Sequence, residues 1–485
     1  MTNKTVQAPK YTLDKFNGTS SNFTKLSQPP DSNGAIGPYH YVEFLNGVFT
    51  VYDKFTHAKL AQITDQQFWI QAGIPQPGSL VDPRILFVPN GGKYGRGQWL
   101  AVQLSFGYSV YLACTDPHMA SPSPLPGAWK AAQFDMRGCD FPQVGYDGRA
   151  IYLTVQTAVD SELNQESEVN TKSEPKTESE EIAAAAGRRS QIVFLPQVSA
   201  LAFPPQVGDD SGMKIFAPLD PQIYGNGLYP VADSTGSEWK TATFVCANDE
   251  TLRQLTYVKM LTEQRVIASH GSIDVPPWEF MGFTYVKQPA ASGAQKVAFY
   301  SSDINAAPVS DGFNIWLTHT VKKFGSLAVR WYRLAIDPVS RDLSLANSGE
   351  LSDPKGHYDY FNSSIASFGK DDYTVVCFSR SGDSTTSSDP NDPNCGNLGA
   401  YAAIIREDGS EPTIVPIQSG KSNNFQPLAN QSYNRWGDFS TIWRDTSDLN
   451  SRNMWLINQY VAQGGSSSEW CEVIANLHID PPRRI

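Results

Sequence analysis

Residues 140–155 read DFPQVGYDGRAIYLTV. An opener with Asp and Pro leads into a short strand, a Gly/Asp turn follows, and a stronger aromatic strand completes the unit. The same order recurs in 82–104 (DPRILFVPNGGKYGRGQWLAVQL) and in 360–378 (YFNSSIASFGKDDYTVVCF). A compact copy occupies 39–52 (YHYVEFLNGVFTVY), and a stretched one occupies 435–460 (RWGDFSTIWRDTSDLNSRNMWLINQY). The openers Asp31, Asp82 and Asp140 are spaced 51 and 58 residues apart. That spacing slightly exceeds a kelch-like repeat and suits a propeller with long loops. A chain of 485 residues would then form one ring of about six or seven four-stranded blades.

Working outward, the rest of the chain also reads as short strands rich in Val, Ile, Thr, Tyr, Phe and Trp. Examples are 41–52, 99–104, 151–155, 192–195, 241–246, 297–300, 315–319, 329–336, 373–378 and 454–461. Almost no window carries a 3.6-residue period, so the expectation is an all-β protein. Blades that pack on neighbours through both faces need apolar cover on both, and 12% aromatic residues supply it. The 37 Gly and 33 Pro serve the many turns. Closing the ring needs a strand from the opposite terminus, which removes an exposed edge. Residues 470–477 and 11–16 are the expected partners. A pair of β-sandwiches is the runner-up, for which the repeat through the middle is awkward.

The division expected is an N-terminal tail over 1–26 and a propeller over 27–485, interrupted at 159–187. That segment holds eight acids and two bases and no aromatic residue, so it reads as a solvated loop. It accounts for much of the net charge of −11, which leaves the folded body only mildly acidic. The overall charge makes nucleic acid and anionic membrane surfaces poor partners. No apolar run reaches membrane-spanning length, and the first residues show no signal-peptide h-region. Six cysteines lack any C-x-x-C spacing. A Cys377–Cys395 bridge and cysteines that are mostly buried free thiols on strands are both compatible with the sequence.

Two stretches, PPDSNGAIGPYHYV at 29–42 and RWGDFS at 435–440, resemble motifs of a group of largely uncharacterised, mostly secreted bacterial β-propeller proteins. The resemblance implies a propeller and a secreted or cell-surface location; it implies no activity, because the group shares none. More distantly the arrangement is similar to sialidase-like propellers, although DSTGSEW at 233–239 lacks the spacing of their Asp-boxes.

The openers should converge where the inner strands begin. That would cluster Asp31, Asp82, Asp140 and Asp438 with Arg84, Arg435, His40 and Tyr433. Converging carboxylates suit general acid/base chemistry or a hard cation such as Ca²⁺. A carboxylate beside an Arg can grip a sugar or an acidic ligand. An Asp before Pro or beside Gly also serves simply to fix a turn. Asp82, Asp140, Asp438, Tyr433 and His40 are therefore the catalytic candidates, and Asp31, Arg84, Arg435 and Trp436 the ligand-binding ones. Trp69 and Trp278 are further candidates for stacking on a sugar face. The seven histidines show no metal-binding spacing, and no G-x-S-x-G or nucleotide-binding fingerprint occurs. Three readings follow: a glycan- or polymer-binding propeller acting as a monomer, a glycan-active hydrolase or lyase, and a non-catalytic interaction scaffold.

Overall fold

Seven consecutive sheets make up almost the whole chain in the computed structural model, which describes residues 8–21, 23, 29–92, 95–105, 109–119, 121–157, 188–248, 251–279, 283–289, 296–300, 304–423, 433–447, 451–462 and 469–482. The acidic segment 159–187 lies outside the described residues. Blade 1 runs through Gly34–Ile36, His40–Leu45, Val48–Asp53 and Lys59–Ile63. Blade 2 spans Leu80–Val88 to Trp129–Asp135, and blade 3 spans Cys139–Tyr146 to Lys214–Ile215. Blade 4 spans Tyr229–Pro230 to Val266–Asp274, and blade 5 spans Val309–Ser310 to Leu343–Leu351. Blade 6 runs from Tyr358–Ser367 to Thr413–Gln418. Blade 7 consists of Thr441–Arg444, Asn453–Ala462, Glu469–Ile479 and the N-terminal strand Tyr11–Ser20.

Ring closure is visible in both hydrogen bonding and packing. Tyr11 pairs with Ile479 and Phe16 with Ile474 in an antiparallel register. Seven apolar clusters fill the seven seams between neighbouring blades. Phe49, Trp69 and Trp99 fill the seam of blades 1 and 2, and Ile457, Ile474 and Tyr41 fill that of blades 7 and 1. The described residues thus form a β-propeller of seven blades, in which each blade buries both faces against its neighbours. A buried ion pair, Lys54–Asp445 at 2.6 Å, adds a polar contact across the closing seam.

The cysteine expectation resolves toward thiols. All six are buried and free, so Cys377 and Cys395 do not form a bridge. Cys377 lies within the core of blades 6 and 7, and the Cys395 thiol faces the Gly420 carbonyl at 3.7 Å. Backbone bonds between Gly382 and Gly396 and between Gly396 and Ser387 close the loop instead.

Two further features position the ring. Asp65–Ala72 is a helix, held by a capping box between Thr64 and Gln67 and ended by Gly73 in a left-handed conformation. Between blades 4 and 5, Phe283–Tyr285 and Lys296–Tyr300 form a hairpin that pairs in parallel with Tyr433–Arg435. This small sheet packs Val297 and Phe299 into the seam that holds Trp436, and it sets the position of Arg435 ahead of blade 7.

Candidate functional site

The inner strands of blades 1, 2, 3 and 6 start with a shared irregularity. Asp31, Asp82, Phe141 and Asn362 all adopt positive φ, between 50° and 54°. In blades 2, 3 and 6 the pairing register shifts at that point. Asp and Asn tolerate this left-handed region better than most residues, whereas Phe does not. The equivalent of Asp82 in blade 3 is therefore Phe141, and Asp140 stands one residue out of step with the repeat.

These residues latch one blade to the next. Asp31 accepts the Asp438 N–H at 2.9 Å and the Asn46 side-chain amide at 2.7 Å. Asn46 in turn accepts the Asp82 N–H at 2.9 Å, and Asp82 accepts the Phe141 N–H at 3.2 Å. In blade 6, Asn362 donates its N–H to Thr320 and its amide to the Phe439 carbonyl. The turn role expected of a single Asp becomes, in the ring, a set of bonds between blades.

Cations interleave with these carboxyls. Arg84 lies 3.4 Å from the centre of the Phe439 ring and donates to the Pro142 carbonyl and to Gln143. Arg435 pairs with Asp438 at 2.5 Å, and Arg188 with Asp140 at 3.1 Å. Asp31, Asp82 and Asp438 are 1%, 7% and 4% exposed. Burial, then the charge of Asp438, pushes Asp31 up to about 7. Burial also raises Asp82 well above its ordinary range, reinforced by Asp140, Asp31 and Asp438; it raises Asp438 against the pull of Arg435. Four carboxyls face three guanidiniums here, so charge balance favours keeping one proton within the cluster.

His40 and the tryptophans lie apart from this cluster. His40 begins the second strand of blade 1, where burial depresses its basicity and Asp53 partly offsets that. Trp436 is buried in the seam core with its indole N–H on Ser379 at 3.0 Å, and Trp69 and Trp278 are buried as well. All three pack within the fold rather than present a face to a sugar. Tyr433 pairs with Lys296 in the small sheet, and its side chain lies outside the described residues. Among the described residues no three His, Cys, Asp or Glu side chains could together hold a metal ion.

Where the inner strands end, the channel opens into a cavity of about 120 Å³, enough for several waters. All seven blades line it. Ile36, Phe87, Tyr146, Thr235, Asp311, Phe368 and Trp443 stand for blades 1 to 7 in turn. Arg444 lies on its wall with the guanidinium 5.4 Å from the centre of Phe368. Asp311 spends one oxygen on the Phe313 and Asn314 N–H groups of its own turn. Trp443 donates its indole N–H to the Gly34 carbonyl, which fixes the ring across the closing seam. Phe368, Trp443 and Arg444 were not singled out from sequence. The available signal was positional: each falls at the end of an inner strand, directly before the turn of the repeat.

No protein-family model matches the chain, and no curated protein matches it. Solved structures similar to it include the WD40 domain of SCAP from fission yeast, at 8% identity and a TM-score of 0.36, covering 91% of this chain and 82% of that one. Another is Drosophila Semaphorin 1b, extracellular domains 1-2, at 8% identity and 0.39, covering 96% and 87%. A third is Saccharomyces cerevisiae Sqt1, at 8% identity and 0.38, covering 94% and 97%. No helix among the described residues is long and apolar enough to cross a membrane.

Proposed function

We propose that this chain is a ligand-binding propeller that engages a glycan or another surface polymer at the mouth where its inner strands end. The observation that carries this reading is the cavity to which every blade contributes a residue. Aromatic rings beside serine and threonine hydroxyls and an arginine suit a sugar, whose faces are apolar and whose edges are polar. The opposite mouth is filled by latched, buried carboxyls and supports the ring. A monomeric state belongs to the same proposal, as does a secreted or cell-surface location, which comes through the family resemblance.

A glycan-array screen tests it, with Phe368→Ala and Arg444→Gln at the cavity and Asp82→Asn and Asp438→Asn at the carboxyl cluster. The expected result is binding that falls at least tenfold in the first pair and persists in the second. Binding lost only in the Asp variants would move the site to the other mouth; an array without any signal would remove glycans as the ligand. A glycan-active hydrolase or lyase is the second reading, favoured by the carboxyls of Asp31, Asp82, Asp140 and Asp438 gathered where the inner strands begin. It predicts turnover that Asp438→Asn abolishes.

A further inference from the structure

An acidic pair lies beneath the strand that closes the ring. Glu43, in strand His40–Leu45, and Glu472, in strand Glu469–Ile479, are both fully buried. Glu43 accepts the Thr19 N–H at 2.9 Å, the Thr19 hydroxyl at 2.5 Å and the Tyr52 hydroxyl at 3.1 Å. Glu472 accepts the Ser32 hydroxyl at 2.9 Å on one oxygen, while its other oxygen has no hydrogen-bond partner. The N-terminal strand sits directly on this pair. A Cβ at Gly18 would stand 2.5 Å from Glu43 Oε1 and 2.9 Å from Glu472 Cβ.

Among the described residues no cation is a main influence on either carboxylate, and Lys421 acts on the neighbouring Cys471. The titratable groups that face the pair are Asp31, Tyr41, Tyr52, Cys377, Tyr460 and Cys471. Every one of them is neutral or negative. Burial raises both glutamates by more than the hydrogen bonds they accept from Thr19, Tyr52 and Ser32 lower them, and the neighbouring Glu43 adds to the effect on Glu472. A buried acid pair without a cation is most stable when neutral, and each ionisation makes the other harder.

We propose that the N-terminal strand is a pH-sensitive clasp, seated while Glu43 and Glu472 are neutral and released from the ring when the pair ionises. The sign follows from the neutral form being favoured in the fold. The clasp is fully set below the ordinary carboxylate range and loosens as pH rises toward the raised values.

Hydrogen exchange of the full chain between pH 5 and 8 tests this, with rates corrected for intrinsic chemistry and strand Ala150–Thr157 as the internal reference. The expected result is that protection of residues 11–20 falls about tenfold or more relative to the reference, the effect of roughly one pKa unit. In Glu472→Gln that slope should flatten. A flat profile in the unaltered chain, or the same slope in both, would overturn the proposal. If Glu472→Gln does not fold, Ser32→Ala provides the check. Losing the donor to Glu472 should move the exchange midpoint to higher pH, and an unmoved midpoint refutes the clasp.

Discussion

Asp31 shows how one side chain joins sequence to ring. Its positive φ costs on the order of 1–3 kcal/mol, and the two bonds it accepts from Asp438 and Asn46 hold it there. Asp31→Asn places an amide against two donors and should cost roughly 1–3 kcal/mol of stability, read by urea denaturation. It should also change the pH profile. Because burial raises Asp31 from 3.8 to about 7, the unfolded chain ionises first as pH rises. The unaltered protein therefore loses stability across that interval, and the Asn variant should lose less. Equal slopes for the two would mean that Asp31 does not carry the proton. The residue scale is also where sequence reading lost resolution. Asp140 resembles Asp82 in writing, yet Phe141 takes its structural place. The distinction depends on which residue adopts positive φ, and Asp, Asn and Phe all do so here.

At the scale of elements, blade seams set the tolerances. A Cβ at Gly145 in blade 3 would stand 2.5 Å from the Pro230 carbonyl oxygen and 2.8 Å from that of Val231 in blade 4. Backbone cannot swing aside as a side chain can, so Gly145→Ala should push the seam apart. A loss of about 1–3 kcal/mol is expected, measured as a lowered denaturation midpoint. An unchanged midpoint would show that the seam can yield. The strands legible in sequence were the central ones, such as Ala150–Thr157, Asn314–Lys323 and Asn453–Ala462, because burial on both faces makes them continuously apolar. In the compact copy at 39–52, Asn46-Gly47 makes the turn between His40–Leu45 and Val48–Asp53. Outer strands such as Val266–Asp274 carry exposed polar positions and leave almost no apolar signal. The helix over Asp65–Ala72 is short and has a weak period, so only its Thr64-x-x-Gln67 capping box marked it.

For the whole molecule, closure is the property that matters. Removing residues 1–20 would strip the outer strand from blade 7 and expose the edge of Glu469–Ile479. Self-association on gel filtration and a lower melting temperature are the expected outcomes; an intact, monomeric truncation would show that the ring holds without its last strand. By itself the sequence determined the class: an all-β ring of repeats, and the two terminal segments that meet to close it. Composition, turn spacing and strand periodicity are local properties, and they survive in a linear reading. Tertiary structure alone brings all seven blades to one cavity, buries Asp31, Asp82 and Asp438 between blades, and sets Glu43 beside Glu472 from opposite ends of the chain. Burial and proton affinity depend on neighbours hundreds of residues away, and only the closed ring brings those neighbours together.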